Sequence, residues 1–186
     1  MERVVEALIR AGCVKFGRFR LSSGRESDVY VDVRALYSSP EELRAVVEEL
    51  AELIRELRAE YVCGVETSGI PLASILAYEL GIPMVYVRKE KKGHGMDRIV
   101  EGVPRERAKA VVVDDVSTTG CSIAHAVRAL RRVKMAVTDA VVVVDRREGA
   151  VERLSELGVR LHSLTTLGEL LRHLRSLDKS RGGYEG

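Results

Sequence analysis

The 186-residue sequence predicts an α/β fold, an open parallel sheet flanked by helices, with a small β-containing hood at the N-terminus. Short β-branched runs such as Val111–Val113 and Val141–Val144 alternate with longer segments whose apolar residues recur at helical spacing. Glycines and hydroxyl-bearing residues gather where those runs end. The rhythm breaks near the N-terminus, where two strand-like stretches follow each other directly.

Taken in order, Glu2–Arg10 spaces Val4, Val5, Leu8 and Ile9 as one helical face. Val14–Leu21 and Val29–Val33 alternate as strands about Ser22-Ser23-Gly24-Arg25, and residues 1–36 contribute the hood, expected over the sheet's edge. Pro40 suits a first helical turn, where its missing N–H costs nothing, and Leu43, Val46, Val47, Leu50, Leu53, Ile54 and Leu57 continue as a stripe. Tyr61–Val65 is a strand, Pro71–Leu80 a helix closed by Gly81, Met84–Val87 a strand and Arg88–Gly102 a polar loop. The Val111 strand leads into a helix over Ser122–Arg132, and Thr138–Val144 is the next strand. A helix over Glu148–Leu157 ends at Gly158, and Val159–His162 and Leu167–Leu177 form the last strand and helix. One domain over 1–177 follows, with 178–186 a flexible tail because nothing apolar anchors it.

Balanced charges, with a formal net of +2, give no support to nucleic-acid binding. No apolar run reaches membrane-spanning length and Met1-Glu2-Arg3 does not open a signal peptide, so no membrane partner and a cytoplasmic location are expected. Cys13, Cys63 and Cys121 are odd in number and widely spaced, which indicates neither a disulfide framework nor a zinc site. Cys121 is expected to be a small packed residue, and His125, His162 and His173 receive no role. The absence of Asn and Gln beside abundant charge fits a protein from a hot environment.

The chemistry concentrates at strand ends. Val111-Val112-Val113-Asp114-Asp115-Val116-Ser117-Thr118-Thr119-Gly120 runs from a buried strand through two acids into a hydroxyl-rich turn before a helix. Such a junction aims backbone N–H groups and a positive dipole end at an anion. Ser117, Thr118, Thr119 and Ser122 add donors, and Gly120 lets backbone approach closely. Asp114 and Asp115 are placed to accept from a sugar diol, so the segment reads as a site for a phosphorylated ribose.

This segment resembles the phosphoribosyl pyrophosphate (PRPP) motif of the type I phosphoribosyltransferases. The resemblance implies that Asp114 and Asp115 hold the ribose hydroxyls and that Val116–Gly120, continued by Cys121 and Ser122, wraps the 5-phosphate. Arg88-Lys89-Glu90-Lys91-Lys92-Gly93-His94-Gly95 resembles the catalytic loop of orotate phosphoribosyltransferases, which gives Arg88, Lys89, Lys92 and His94 a role on the pyrophosphate. Gly64-Val65-Glu66-Thr67-Ser68-Gly69 matches the family's pyrophosphate loop, which implies PRPP contacts from Glu66, Thr67, Ser68 and Gly69 and a non-proline cis peptide near Glu66–Ser68. Asp145-Arg146-Arg147-Glu148 is similar to the family's orotate-binding segment and nominates Arg146, whose planar guanidinium suits bidentate recognition. The turn around Leu21–Ser27 with Tyr30-Val31-Asp32 resembles the family's N-terminal substrate-binding turn, so Ser22, Tyr30, Val31 and Thr118 join Arg146 as expected orotate contacts. Ser22 and Ser68 stand where several relatives carry lysine.

The resemblance implies fold, reaction and assembly together: a type I phosphoribosyltransferase-like sheet, and transfer of the phosphoribosyl group from PRPP to orotate. Mg²⁺ is expected mainly on PRPP oxygens with no direct protein ligand, and a homodimer is expected to share the catalytic loop between subunits. Lys89, Lys92, His94, Asp114 and Asp115 are the expected catalytic residues. Two other readings are a phosphoribosyltransferase for a purine or other base, and a PRPP-sensing regulator. The second usually needs an added DNA-binding module, and the residues before Val14 are too few for a helix-turn-helix.

Overall fold

The computed structural model describes residues 2–20, 24, 26–90 and 99–181. Helix α1 (Glu2–Arg10), strands β1 (Val14–Arg20) and β2 (Glu26–Val31), a 3₁₀ segment Val33–Ser38 and α2 (Pro40–Glu56) precede the alternating part. That part runs β3 (Tyr61–Val65), α3 (Gly69–Leu80), β4 (Met84–Val87), β5 (Val100–Glu101), β6 (Lys109–Ser117), α4 (Cys121–Arg132), β7 (Ala136–Asp145), α5 (Ala150–Ser155), β8 (Arg160–Thr166) and α6 (Leu167–Arg181). The central sheet has the order β5-β4-β3-β6-β7-β8, parallel throughout except for β5, which runs antiparallel to β4.

The sheet is buried on both faces, which is why its strands read as continuous apolar runs. Val62, Val111, Val113, Val141 and Val143 face a core filled by α1, α2, α3 and Leu170 of α6. Their alternates Cys63, Val85, Val112, Ala140 and Val142 face a second core with Ile123, Val127 and Leu130 of α4 and Leu154 of α5. Chain order reverses between β3 and β6, since β4 follows β3 to one side while β6 returns to its other side. In open α/β sheets, ligands bind beyond the carboxyl ends of the strands at such a switch point.

Several boundaries differ from the sequence expectation. The segment expected to be wholly loop before Gly102 contains β5, a two-residue edge strand paired Tyr86↔Glu101 and Val87↔Val100. The stretch expected as strand to Val33 instead turns at Asp32 into the 3₁₀ segment, and α6 continues past Leu177 to Arg181. Hairpin β1–β2 is present as an antiparallel pair, but it does not cap the sheet's edge. It lies over the carboxyl end of β7, an interior strand, where the Arg146 guanidinium donates to Val29 O at 3.3 Å and Ser27 Oγ at 3.1 Å. Among the described residues no helix is long and apolar enough to cross a membrane.

Candidate active site

Three adjacent strands, β3, β6 and β7, deliver the site from their carboxyl ends. At the top of β6 the acids Asp114 and Asp115 are half-buried. The Asp115 N–H donates to Asp114 Oδ1 at 3.0 Å, and the Val116 N–H to Asp115 Oδ1 at 2.8 Å. Burial, followed by the neighbouring Asp115 charge, pushes the Asp114 carboxyl well above the usual carboxylate range, with the Lys89 ammonium opposing. Burial also raises Asp115, less strongly, with Arg34 among the groups opposing. Two acids packed this closely each oppose the other's ionisation, and a nearby cation favours it.

Beyond them a cavity of about 310 Å³ is lined by Asp114, the turn Val116–Gly120, Cys121, Ser122, Ile123 and Arg153. Gly120 takes φ +73° and caps α4, whose first residues line the cavity. Ser117 departs from the expectation that its hydroxyl faces a phosphate: it is buried and donates to Asp145 Oδ1 at 2.8 Å. Strand β6 continues to Ser117, which pairs with Asp145 of β7, so the hydroxyl meets that carboxylate across the ladder. Cys121 is exposed, not packed, and accepts from Thr119 Oγ1 at 3.3 Å.

At the top of β3 the Glu66–Thr67 peptide is cis. Gly69 then opens α3 against β6, so close that a Cβ there would stand 2.4 Å from Val113 O and 3.3 Å from Asp114 Oδ1. Only hydrogen fits between the pyrophosphate-type loop and the acid pair. The Glu66 carboxylate accepts the Lys89 N–H at 2.7 Å, and its charge suits a cationic neighbour better than a phosphate. At the base of the lysine-bearing loop, the Arg88 N–H donates to Ile99 O at 3.0 Å, tying its two ends. Lys91, Lys92, His94 and Ser22 lie outside the described residues.

At the top of β7 Arg146 turns inward, with its side chain 5% exposed, and donates from Nε to Glu148 Oε1 at 2.8 Å in addition to its two hairpin contacts. Arg147 points outward, 69% exposed, and pairs with Asp145. The fork is thus held between β7 and the hairpin that carries Tyr30 and Val31. Tyr30 stacks near Phe19, ring centroids 5.4 Å apart, and Val31 is buried.

Four further residues reach this region without having been expected there. From the 3₁₀ segment, Arg34 donates to Asp32 Oδ1 at 2.6 Å and Tyr30 Oη at 3.2 Å. Tyr37 donates to Ser68 O at 3.2 Å, and burial followed by the two acids pushes its hydroxyl up to about 12. His125 of α4 lies with Nε2 3.0 Å from Arg88 O, beside a cavity of about 220 Å³ shared with Val65, Val87, Lys89 and Ser122. A carbonyl can only accept, so Nε2 carries the proton. Arg153 of α5 donates from Nε to Thr119 O at 2.7 Å. His162, by contrast, bonds Asp139 at 2.9 Å, and Asp139 lies at the start of β7, away from the strand tops that carry the site.

The carboxyl-end crevice thus sets an acid pair beside a glycine-closed turn at the head of α4 and against the loop that opens α3. The chain belongs to the phosphoribosyl transferases: the phosphoribosyl transferase domain matches residues 32–157. It is 43% identical over 182 residues to the orotate phosphoribosyltransferase of Methanopyrus kandleri, covering 98% of this chain and 97% of that one. The crystal structure of orotate phosphoribosyltransferase from Aeropyrum pernix superposes with a TM-score of 0.82 at 41% identity, over 92% of this chain and 98% of that one. That of Mycobacterium tuberculosis, in complex with PRPP, superposes with a TM-score of 0.73 at 30% identity, over 91% and 99%. Within the class, the chain groups with the orotate phosphoribosyltransferases.

Proposed function

We propose that Asp114–Ser122 bind the ribose 5-phosphate portion of PRPP, that Glu66–Gly69 with Arg88 and Lys89 form the pyrophosphate end, and that Arg146 with the hairpin receives orotate. The observation that carries this assignment is the order of the three strand tops, with the acid pair of β6 between the loop that follows β3 and the buried guanidinium of β7. Displacement at the anomeric carbon then takes place over Asp114 and Asp115, giving orotidine 5-monophosphate and pyrophosphate.

Such a transfer builds positive charge on the ribose ring and negative charge on the leaving group, so fixed charge and positioning supply the catalysis. Asp114 and Asp115 orient the hydroxyls and favour the developing cation. Lys89, held through its N–H by Glu66, neutralises the departing anion. Arg88, Lys92 and His94 act on the same anion, and Lys92 or His94 is the proton donor.

Among the described residues no group of three or more His, Cys, Asp or Glu side chains is placed to hold a metal. Mg²⁺ prefers oxygen ligands and keeps waters while bridging phosphates, so PRPP oxygens would hold it, with no direct protein ligand. When bound, it neutralises charge on the pyrophosphate and ribose oxygens. A homodimer that exchanges the lysine-bearing loop is part of this reading. Mixing Lys92→Ala subunits with Asp115→Asn subunits tests it, since shared sites restore a fraction of activity and separate sites restore none. PRPP and the nucleotide product are polyanions that do not cross membranes unaided, so the enzyme is assigned to the cytoplasm.

The direct test is loss of orotate ultraviolet absorbance with PRPP and Mg²⁺, with adenine, guanine, hypoxanthine and uracil run in parallel. Turnover with orotate alone is expected. Turnover with another base overturns the role of Arg146, and PRPP binding without turnover on any base overturns the catalytic reading.

A further inference from the structure

The cavity around Val116–Ser122 carries two charged side chains of opposite sign in its lining, Asp114 and Arg153. The other donors are backbone amides and neutral hydroxyls, and Ser117 is already committed to Asp145. A phosphate monoester carries about −1.5 to −2 charge near neutrality. Seating that charge beside a carboxylate calls for a cation, and Arg153 is the one in the described lining.

The sequence places it there through two small residues. A Cβ on Gly120 would lie 3.0 Å from Ala150 Cα and 3.2 Å from Ala150 Cβ, so α5 rests directly on the turn. Arg153 follows Ala150 by three positions, and residues three apart share a helical face. Its side chain is exposed, and its Nε–H donates to Thr119 O at 2.7 Å, which holds the guanidinium against the turn. Among the described residues no ion pair or further hydrogen bond engages its two terminal nitrogens. A planar fork with free N–H groups, anchored at its neck, matches the geometry of a phosphate oxyanion.

We propose that Arg153 is a ligand of the substrate's 5-phosphate and sets the preference for phosphorylated over unphosphorylated ribose. This deepens the assignment above and rests on Val116–Gly120 being the 5-phosphate turn. The role belongs to binding, not to the bond-breaking step, because the 5-phosphate keeps its charge throughout the reaction. A group that binds ground state and transition state alike moves KM and leaves kcat in place.

The test compares Arg153→Ala, Arg153→Lys and Arg153→Gln, with the exposed Arg160→Ala at the far end of the strands as control. Forward kinetics are read with PRPP and orotate varied separately, and ribose 5-phosphate binding is read by calorimetry without turnover. For Arg153→Ala and Arg153→Gln the PRPP KM rises roughly ten- to hundredfold, the range for loss of one charge-assisted hydrogen bond. Their kcat and orotate KM stay within threefold, Arg153→Lys recovers part of the loss, and ribose 5-phosphate affinity falls in parallel. A PRPP KM within twofold of wild type in both neutral variants overturns the proposal. So does an equal rise in both KM values without rescue by lysine, which marks a collapsed turn. If wild type ignores orotate yet binds ribose 5-phosphate in an Arg153-dependent way, this inference stands and the orotate reading alone fails.

Discussion

Replacing Gly69 by alanine is the sharpest probe of how the loop after β3 is spaced from the acid pair of β6. The added methyl would sit 2.4 Å from Val113 O, and ordinary van der Waals contact begins near 3.4 Å, so the backbones of α3 and β6 must part by about 1 Å. The obstructing atom is a main-chain carbonyl in the middle of a parallel sheet, and no rotamer change relieves it. Overpacking of this kind costs about 1–3 kcal/mol, which at roughly 2–4 °C per kcal/mol for a domain of this size lowers the melting temperature by several degrees. Activity falls further, because a misplacement of about 1 Å between catalytic elements costs on the order of 10²-fold. Orotate consumption at saturating Mg²⁺ gives kcat/KM, and calorimetry gives the melting temperature. Gly158→Ala is the matched control, since Gly158 has φ +64° with nothing within 4 Å of a new Cβ. It incurs left-handed strain of about 1–2 kcal/mol while moving no site residue, so its activity is retained. A Gly69→Ala enzyme within threefold of wild-type kcat/KM would refute the claim that this contact sets the loop spacing.

Other outcomes follow from the same geometry. The ligand-free fold binds the Asp114 proton more tightly than the unfolded chain, so its contribution to stability is full below the ordinary carboxylate range and is lost as pH rises through the elevated value. Asp114→Asn removes that loss: it melts higher than wild type near neutrality, with the gap closing toward pH 4, while turnover drops about 10²–10³-fold. A variant that melts lower than wild type at neutral pH contradicts this. Arg146→Lys keeps the charge but loses the fork shared by Glu148, Ser27 and Val29, so the orotate KM rises at least about tenfold with the PRPP KM unchanged, and equal effects on both substrates count against base recognition. The lack of Asn and Gln predicts melting well above the ~45–65 °C of mesophilic domains, and calorimetry showing an ordinary mesophilic transition rejects that reading.

What was legible in the sequence was local and contiguous. The Val111–Gly120 run states strand, acid pair and turn within ten residues, and each buried parallel strand announces itself by β-branched side chains. Segment Val33–Ser38 offers a single i, i+3 apolar pair, Val33 and Leu36, and β5 has two residues, so both are too short to show a period. Tyr37, His125 and Arg153 share one reason for being unexpected, since each contact joins residues more than thirty positions apart, whereas Arg34 depends on the turn at Asp32 into the 3₁₀ segment. The contact of Gly120 with Ala150 is what brings Arg153 over the turn, and nothing near either residue advertises it. Ser117 was misjudged because the strand runs three residues beyond Asp114, and the ladder then turns its hydroxyl toward Asp145.

The placement of β3, β6 and β7 as immediate neighbours has a consequence for how such a molecule diversifies. Strand tops in a sheet are about 4.8 Å apart, so under the assignment proposed above leaving group, sugar and base are gauged against the backbone's own repeat. The pairings Val62↔Val111 and Cys63↔Val112 fix the first interval and Val113↔Val141 the second, with no side chain at the crevice taking part. Residues at the β7 end can therefore be exchanged while the distance between the other two stations stays constant. The sheet acts as a ruler with interchangeable end marks, and selectivity for a different base requires redrawing only the last of them.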